Sequence, residues 1–216
     1  MKNVYFISGL GADKRVFSLL NLSFCTPVFI EWTKPLHNES LKNYALRLKE
    51  KVTEPNALII GISFGGMLVT EMAKNDTKIK AIILSSAKTS KEIPYYYKIG
   101  KYLPLYRILP DAWVRLLIKR IRWILGGKNN PEKEILTNIV SETDIGFTKW
   151  AISSILHWDN KDVPSNLIHI HGTSDKLIPH RFVKADHLIR GGTHVMTLDN
   201  HAEVSNLLNS LLTPNN

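Results

Sequence analysis

Apolar positions along the chain follow two alternating rhythms. Short continuous apolar runs of strand length occur at Asn3 to Ser8, Pro27 to Trp32, Ala57 to Ile62, Ile79 to Ser85, Leu167 to His171 and His187 to Arg190, and they predict buried strands. Between them the spacing becomes helical. Ser40 stands as an N-cap before Leu41, Tyr44, Ala45, Leu48 and Val52, the buried stripe of one helix. From Met67 onward Leu68, Met72 and Ala73 recur with Glu71 and Lys74 between them, and Val204, Leu207, Leu208 and Leu211 mark a last helix over Asn200 to Leu212. Pro55-Asn56 and Asn75-Asp76 supply breaks, and the alternation predicts an α/β fold around a parallel sheet.

The rhythm stops from Ala87 to Asp162. That stretch is rich in aromatics (Tyr95, Tyr96, Tyr97, Tyr102, Tyr106, Trp113, Trp123, Phe147, Trp150, Trp158), is punctuated by Pro94, Pro104, Pro110 and Pro131, and reads as several short helices. An insertion at a strand end is placed to cap a pocket, so residues 87–162 are expected to form a helical cap on a core of residues 1–86 and 163–216. Within it Asp111 to Leu125 is amphipathic and basic, with Arg115, Lys119 and Arg122 opposite Val114, Leu117, Ile118, Ile121 and Leu125. A lid helix with a solvated cationic face is one reading, and peripheral contact with anionic lipid or an acidic substrate is the other.

The chain has 216 residues, enough for one domain with an insertion, and a formal charge of +9 with a pI near 9.6. That excess raises nucleic acid, a membrane surface or anionic substrates as partners, but much of it is scattered lysine on helix faces, so no nucleic-acid partner is expected. Cys25 is the only cysteine, which rules out an intrachain disulfide and a cysteine-built metal site and leans towards a reducing compartment. The apolar run after Met1-Lys2-Asn3 is short and meets Asp13, Lys14 and Arg15, so a first strand and a cytoplasmic protein are expected. No run of about eighteen apolar residues is present to span a bilayer.

Candidate chemistry centres on Gly61-Ile-Ser63-Phe-Gly65-Gly66, where a strand turns directly into a helix. Such a turn raises a serine hydroxyl above the sheet, but the hydroxyl needs a base, and the base an orienting acid. Asp175 lies just beyond the Leu167 to His171 strand, and His194 follows the Gly191-Gly192 loop after the next one, so the three groups fall at one sheet edge. His201 is an alternative base, less favoured because it begins the last helix; Asp159 and Asp162 are alternative acids that precede a strand rather than follow one. In the first loop, Gly9-Leu10-Gly11, the dinucleotide and phosphate-binding glycine patterns fail for want of their third glycine or Gly-Lys-Ser/Thr ending. Backbone N–H groups of Leu10 and Phe64 are instead positioned as an oxyanion hole. His169-Ile-His171 with Asp175 approaches a metal signature but misses its spacing, and the pair is expected to pack or hydrogen-bond between layers; no metal is expected. His37, His157, His180 and His187 read as surface or hinge residues.

The segments around Ser63, His171-Gly-Thr-Ser-Asp175-Lys-Leu-Ile-Pro179 and Gly191-Gly-Thr-His194 resemble the nucleophile, acid and histidine segments of the alpha/beta-hydrolase fold superfamily, in the same order. Two departures stand out: Ser8-Gly9 replaces the family's common His-Gly, and the chain starts at what resembles the family's third strand. The resemblance implies a mostly parallel sheet of about six strands lacking the N-terminal hairpin, with helices on both faces. It also implies a serine hydrolase of the esterase kind, acting on a carboxylic ester or thioester through an acyl-enzyme without a cofactor. A slow or non-catalytic ligand-binding protein and a lyase using the same triad are the other functions that fold hosts.

Overall fold

The computed structural model describes residues 2–127 and 129–212; the side chains of Arg122 and Trp123, assigned above to the basic helix and the aromatic set, lie outside the described residues. Six strands, β1 (Asn3–Ile7), β2 (Thr26–Phe29), β3 (Leu58–Ile62), β4 (Lys80–Leu84), β5 (Leu167–Gly172) and β6 (His187–Ile189), form an all-parallel sheet in the order β2-β1-β3-β4-β5-β6 among the described residues. The inner strands β1, β3, β4 and β5 are buried on both faces, which is why they read as nearly continuous apolar runs, whereas the edge strands β2 and β6 are partly exposed. Successive side chains alternate between two cores. Tyr5, Ile7 and Ile59 face α1 (Leu41–Lys49) and α2 (Phe64–Asn75), meeting Tyr44, Leu48, Leu68 and Met72. Val4, Phe6 and Ile60 face the opposite way, meeting Phe17 and the Val204 and Leu208 stripe of the last helix.

Two element ends fall short of the hydrophobic pattern. The N–H groups of Glu50, Lys51 and Val52 each reach back three residues, so the helix tightens and α1 ends at Lys49, leaving Val52 to pack from a turn. Likewise β2 stops at Phe29, although Ile30 N–H still reaches the Phe6 carbonyl at 2.9 Å. Trp32 is drawn off the sheet edge by its indole N–H, which donates to the Ala12 carbonyl at 2.8 Å.

Helices fill the segment between β4 and β5. A turn at Tyr95–Lys98 and the single-turn helices α3 (Ile99–Tyr102) and α4 (Leu105–Ile108) come first, each broken off near a proline. After them run α5 (Asp111–Leu125), with the bounds expected for the basic helix, and α6 (Asn130–Glu142) and α7 (Ile145–His157), of 13 residues each and longer than the expected short pieces. Pro131 does not interrupt them because it sits in the first turn of α6, where no N–H partner is lost. This segment is tied to the sheet layers at several points. Trp158 Nε1 donates to Glu71 Oε1 at 2.7 Å, Trp150 Nε1 to the Glu39 carbonyl at 2.9 Å, and Arg15 pairs with Glu142 at 2.6 Å. The chain closes with α8 (Met196–Asp199) and α9 (His201–Leu212). Among the described residues no helix is long and apolar enough to cross a membrane.

Candidate active site

The chain leaves β1 towards β2 on one side and later adds β3 on the other, so the direction of winding reverses between β1 and β3. A crevice opens at such a reversal above the carboxyl ends of the strands. The loop after β1 and the turn after β3 therefore become neighbours: a Cβ built on Gly9 would stand 3.2 Å from Ser63 Cβ. Ser63 itself has φ 54° and ψ −121°, a conformation that costs a non-glycine residue about 1–3 kcal/mol and persists only where its surroundings enforce it. Here its N–H is bound by the Leu84 carbonyl at 2.9 Å, and its carbonyl accepts from Gly66 N–H and the Ser86 hydroxyl at 2.9 and 2.7 Å. At Gly65, an added Cβ would lie 2.2 Å from the Ser8 carbonyl oxygen, so only glycine lets α2 start against β1.

Asp175 and His194 arrive from the next two strand ends. Ser174 N–H donates to the Gly192 carbonyl at 2.9 Å and Thr173 N–H to Ile189 at 3.0 Å, which stitches the loops after β5 and β6 together. Asp175 Oδ1 accepts the N–H groups of Leu177 and Ile178, both at 2.8 Å, leaving Oδ2 aimed at His194 Nδ1, 2.8 Å away. On the far side of the ring His194 Nε2 lies 2.8 Å from Ser63 Oγ. Asp175 and His194 are buried, while Ser63 is only partly so. Burial alone would raise the Asp175 pKa; the charge and hydrogen bond of His194, with the Ile178 N–H and His171, outweigh it and hold the carboxyl below its ordinary value. His194 Nδ1–H donates to the ionised Asp175 Oδ2, so the ring's proton stays on Nδ1 and Nε2 is the free acceptor facing the serine hydroxyl.

The β1 loop turns at Gly9 to Ala12, closed by Ala12 N–H on the Gly9 carbonyl at 3.0 Å, a bond that leaves the Leu10 amide outside the turn. Phe64 is the first residue of α2, where no helical partner exists for its N–H. Among the described residues neither amide donates to a backbone turn or a side chain. Both residues line a cavity of about 600 Å³ that also includes Ser63 and His194, with walls from Ile118 and Ile121 of α5, Ile139 of α6 and Ile155 of α7.

The other sequence candidates lie elsewhere. His201 is exposed at the start of α9, and the Asp162 side chain, 83% exposed, sits 3.9 Å from Lys74. His169 and His171 are fully buried and touch through Nε2 and Nδ1 at 3.2 Å. His171 Nε2 donates to the Ile178 carbonyl at 2.8 Å and lies 3.5 Å from Asp175 Oδ2, so this pair backs the acid loop. Burial holds both rings below the usual histidine pKa, His169 well below it. One contact escapes sequence reasoning: Tyr97 donates its hydroxyl to the Leu177 carbonyl at 3.0 Å beside the same loop, and burial pushes its pKa up to about 12.

A thermophilic esterase from Thermogutta terrifontis matches with a TM-score of 0.76 over 98% of this chain and 89% of its own, at 12% identity. The chain has the alpha/beta-hydrolase fold. A hydrolase from Pseudomonas aeruginosa PA01 shares that fold with a TM-score of 0.75 at 10% identity, covering 99% and 90% of the two chains. So does a lipase-esterase related protein from Clostridium acetobutylicum, at 0.71 and 17% identity over 97% and 93%. No protein-family model and no curated protein matches the sequence.

Proposed function

We propose that this alpha/beta-hydrolase-fold chain is a serine hydrolase that cleaves a carboxylic ester, or its thioester counterpart, through an acyl-enzyme. The reading is carried by one observation, the unbroken line from Ser63 Oγ through both ring nitrogens of His194 to Asp175 Oδ2, with 2.8 Å at each step. Ser63 attacks the substrate carbonyl while its proton passes to His194 Nε2, and the bond to the leaving group breaks as that proton is handed on to the departing oxygen or sulfur. Water then repeats the sequence on the acyl-enzyme, and Ser63 recovers its proton. Asp175 stays ionised throughout and stabilises the imidazolium.

The amides of Leu10 and Phe64 are proposed to hold the oxyanion, each contributing about 3 kcal/mol to the transition state. Every proton in this scheme is carried by a side chain or water, so it calls for no cofactor. The apolar walls of the cavity favour a hydrocarbon acyl group, and residues 87–162 are proposed to act as the cap that keeps bulk water from it.

The test is covalent labelling by a fluorophosphonate probe, together with turnover of esters and thioesters of graded acyl length. Wild type is expected to label and turn over, whereas Ser63→Ala and His194→Ala do neither. Undiminished labelling of Ser63→Ala, or a wild type inert to both probe and substrates, overturns the proposal.

A further inference from the structure

The helix α5 carries two apolar stripes instead of one. Val114, Ile118, Ile121 and Leu125, at helical steps of four, three and four, form the inner stripe: Val114 is buried and the last three line the cavity, Ile121 at its rim with 38% exposure. Rotated away from them, Trp113, Leu117 and Ile124 follow the same spacing with Arg120 and are exposed, Trp113 at 62%. The chain just before is equally open: Tyr102 is 80% and Ile108 78% exposed. A folded chain seldom leaves so many large apolar side chains in water along one segment unless something covers them.

Charge identifies the cover. Residues 95–124 contain seven Lys or Arg and one acid, Asp111, so six of the chain's nine net positive charges fall within thirty residues. A second copy of the chain would set like charge against like. Nucleic acid would answer the charge but leave the Leu and Ile stripe bare. An anionic bilayer satisfies both, because headgroups meet the cations, aromatic rings sit at the interface, and aliphatic side chains enter the acyl boundary.

We propose that residues 95–124, centred on the outer stripe of α5, dock the protein on an anionic lipid bilayer. Lys119 and Arg120 contact headgroups, while Arg115, on the far side of the helix from Leu117, is bonded to the Ser141 carbonyl at 3.2 Å. Trp113, Leu117 and Ile124 insert. Since the inner stripe of the same helix walls the cavity, docking sets the cavity roof against the membrane, where apolar acyl substrates are dissolved; that consequence rests on the hydrolase reading, and docking itself does not.

Sedimentation of the full chain with lipid vesicles tests it. Wild type and Ser63→Ala are both expected to bind phosphatidylcholine vesicles holding about 30 mol % phosphatidylserine, to bind pure phosphatidylcholine weakly, and to be released by high salt. Removing two charges in Lys119→Ala/Arg120→Ala lowers partitioning roughly thirtyfold. Trp113→Ala/Leu117→Ala/Ile124→Ala abolishes binding while hydrolysis of a short water-soluble ester, whose pocket these residues do not line, is retained. Equal binding to both vesicle types, or binding indifferent to these substitutions, overturns the proposal. So does lipid-free dimerisation lost in the same variants, or retention on DNA that survives the apolar triple change. Because Ser63→Ala reports docking without turnover, loss of the hydrolase reading and loss of the docking proposal are separately visible.

Discussion

Asp175 presents one oxygen to two backbone amides and the other to His194, so its geometry is set before any substrate arrives. Asp175→Asn keeps the shape but removes the charge that selects the His194 tautomer, and kcat/KM for any ester turned over is expected to fall about 10³- to 10⁴-fold. Stopped assays across ester substrates, with unfolding curves to show that the fold persists, check this. Behind the acid, His169 and His171 are neutral in the folded state because burial lowers both pKa values, whereas in the unfolded chain they bind protons below about pH 6.5. The unfolded state therefore gains protons as the pH drops below that value, and each neutral ring costs up to about 1.4 kcal/mol of stability per pH unit until its folded pKa is reached. Urea midpoints measured from pH 7 to 5 are expected to fall in wild type and to fall less steeply in His169→Gln. A steeper fall in that variant would contradict the assignment. At still lower pH, the depressed Asp175 value adds a loss of its own, since a carboxyl ionised more readily in the folded state stabilises above its unfolded pKa and ceases to as the pH drops through the folded one. At this scale the chemistry-bearing residue types were legible from motif and spacing, but the role of His171 as a neighbour of Asp175 was not, because residues i and i+4 meet only once the loop after β5 has curled back.

The elements that deliver these side chains depend on a few close approaches. Gly65→Ala puts a methyl group against the Ser8 and Ile7 carbonyl oxygens at the contact between α2 and β1, and a loss of about 3 kcal/mol is expected by denaturant unfolding. The helices between β4 and β5 rest on a different kind of contact. Trp158→Phe removes the indole N–H that meets buried Glu71 and leaves that carboxylate with its Lys74 neighbour at 3.7 Å, costing about 2 kcal/mol in the same measurement. Hydrophobic periodicity located each strand to within a few residues, because the inner strands are buried on both faces and stay nearly continuous in apolar residues, His169 and His171 excepted. After Pro110 it located α5 at both ends but did not resolve α6 and α7 as full helices, and Pro131 reads as a breaker until its place in the first turn of α6 is seen.

For the whole molecule, the cavity above Ser63 sets what enters. Under the hydrolase reading, kcat/KM is expected to rise up to about fourfold per added acyl methylene until the apolar space of about 600 Å³ is filled. Ile155→Trp should lower the acyl length at which that rise stops, and a chain-length series on both proteins checks it. The sequence by itself determined the strand and helix rhythm, the strand-turn-helix around Ser63, and the order in which serine, acid and histidine follow, since these are local properties of spacing and backbone preference. Tertiary structure alone decided which strand ends become neighbours, that the Asp175 and His194 loops are stitched together, and that α5 turns one apolar stripe to the cavity and another to solvent. Those outcomes depend on contacts between residues well separated in the chain, 18 positions for Ser174 and Gly192 and 131 for Ser63 and His194, and a local pattern holds no record of them.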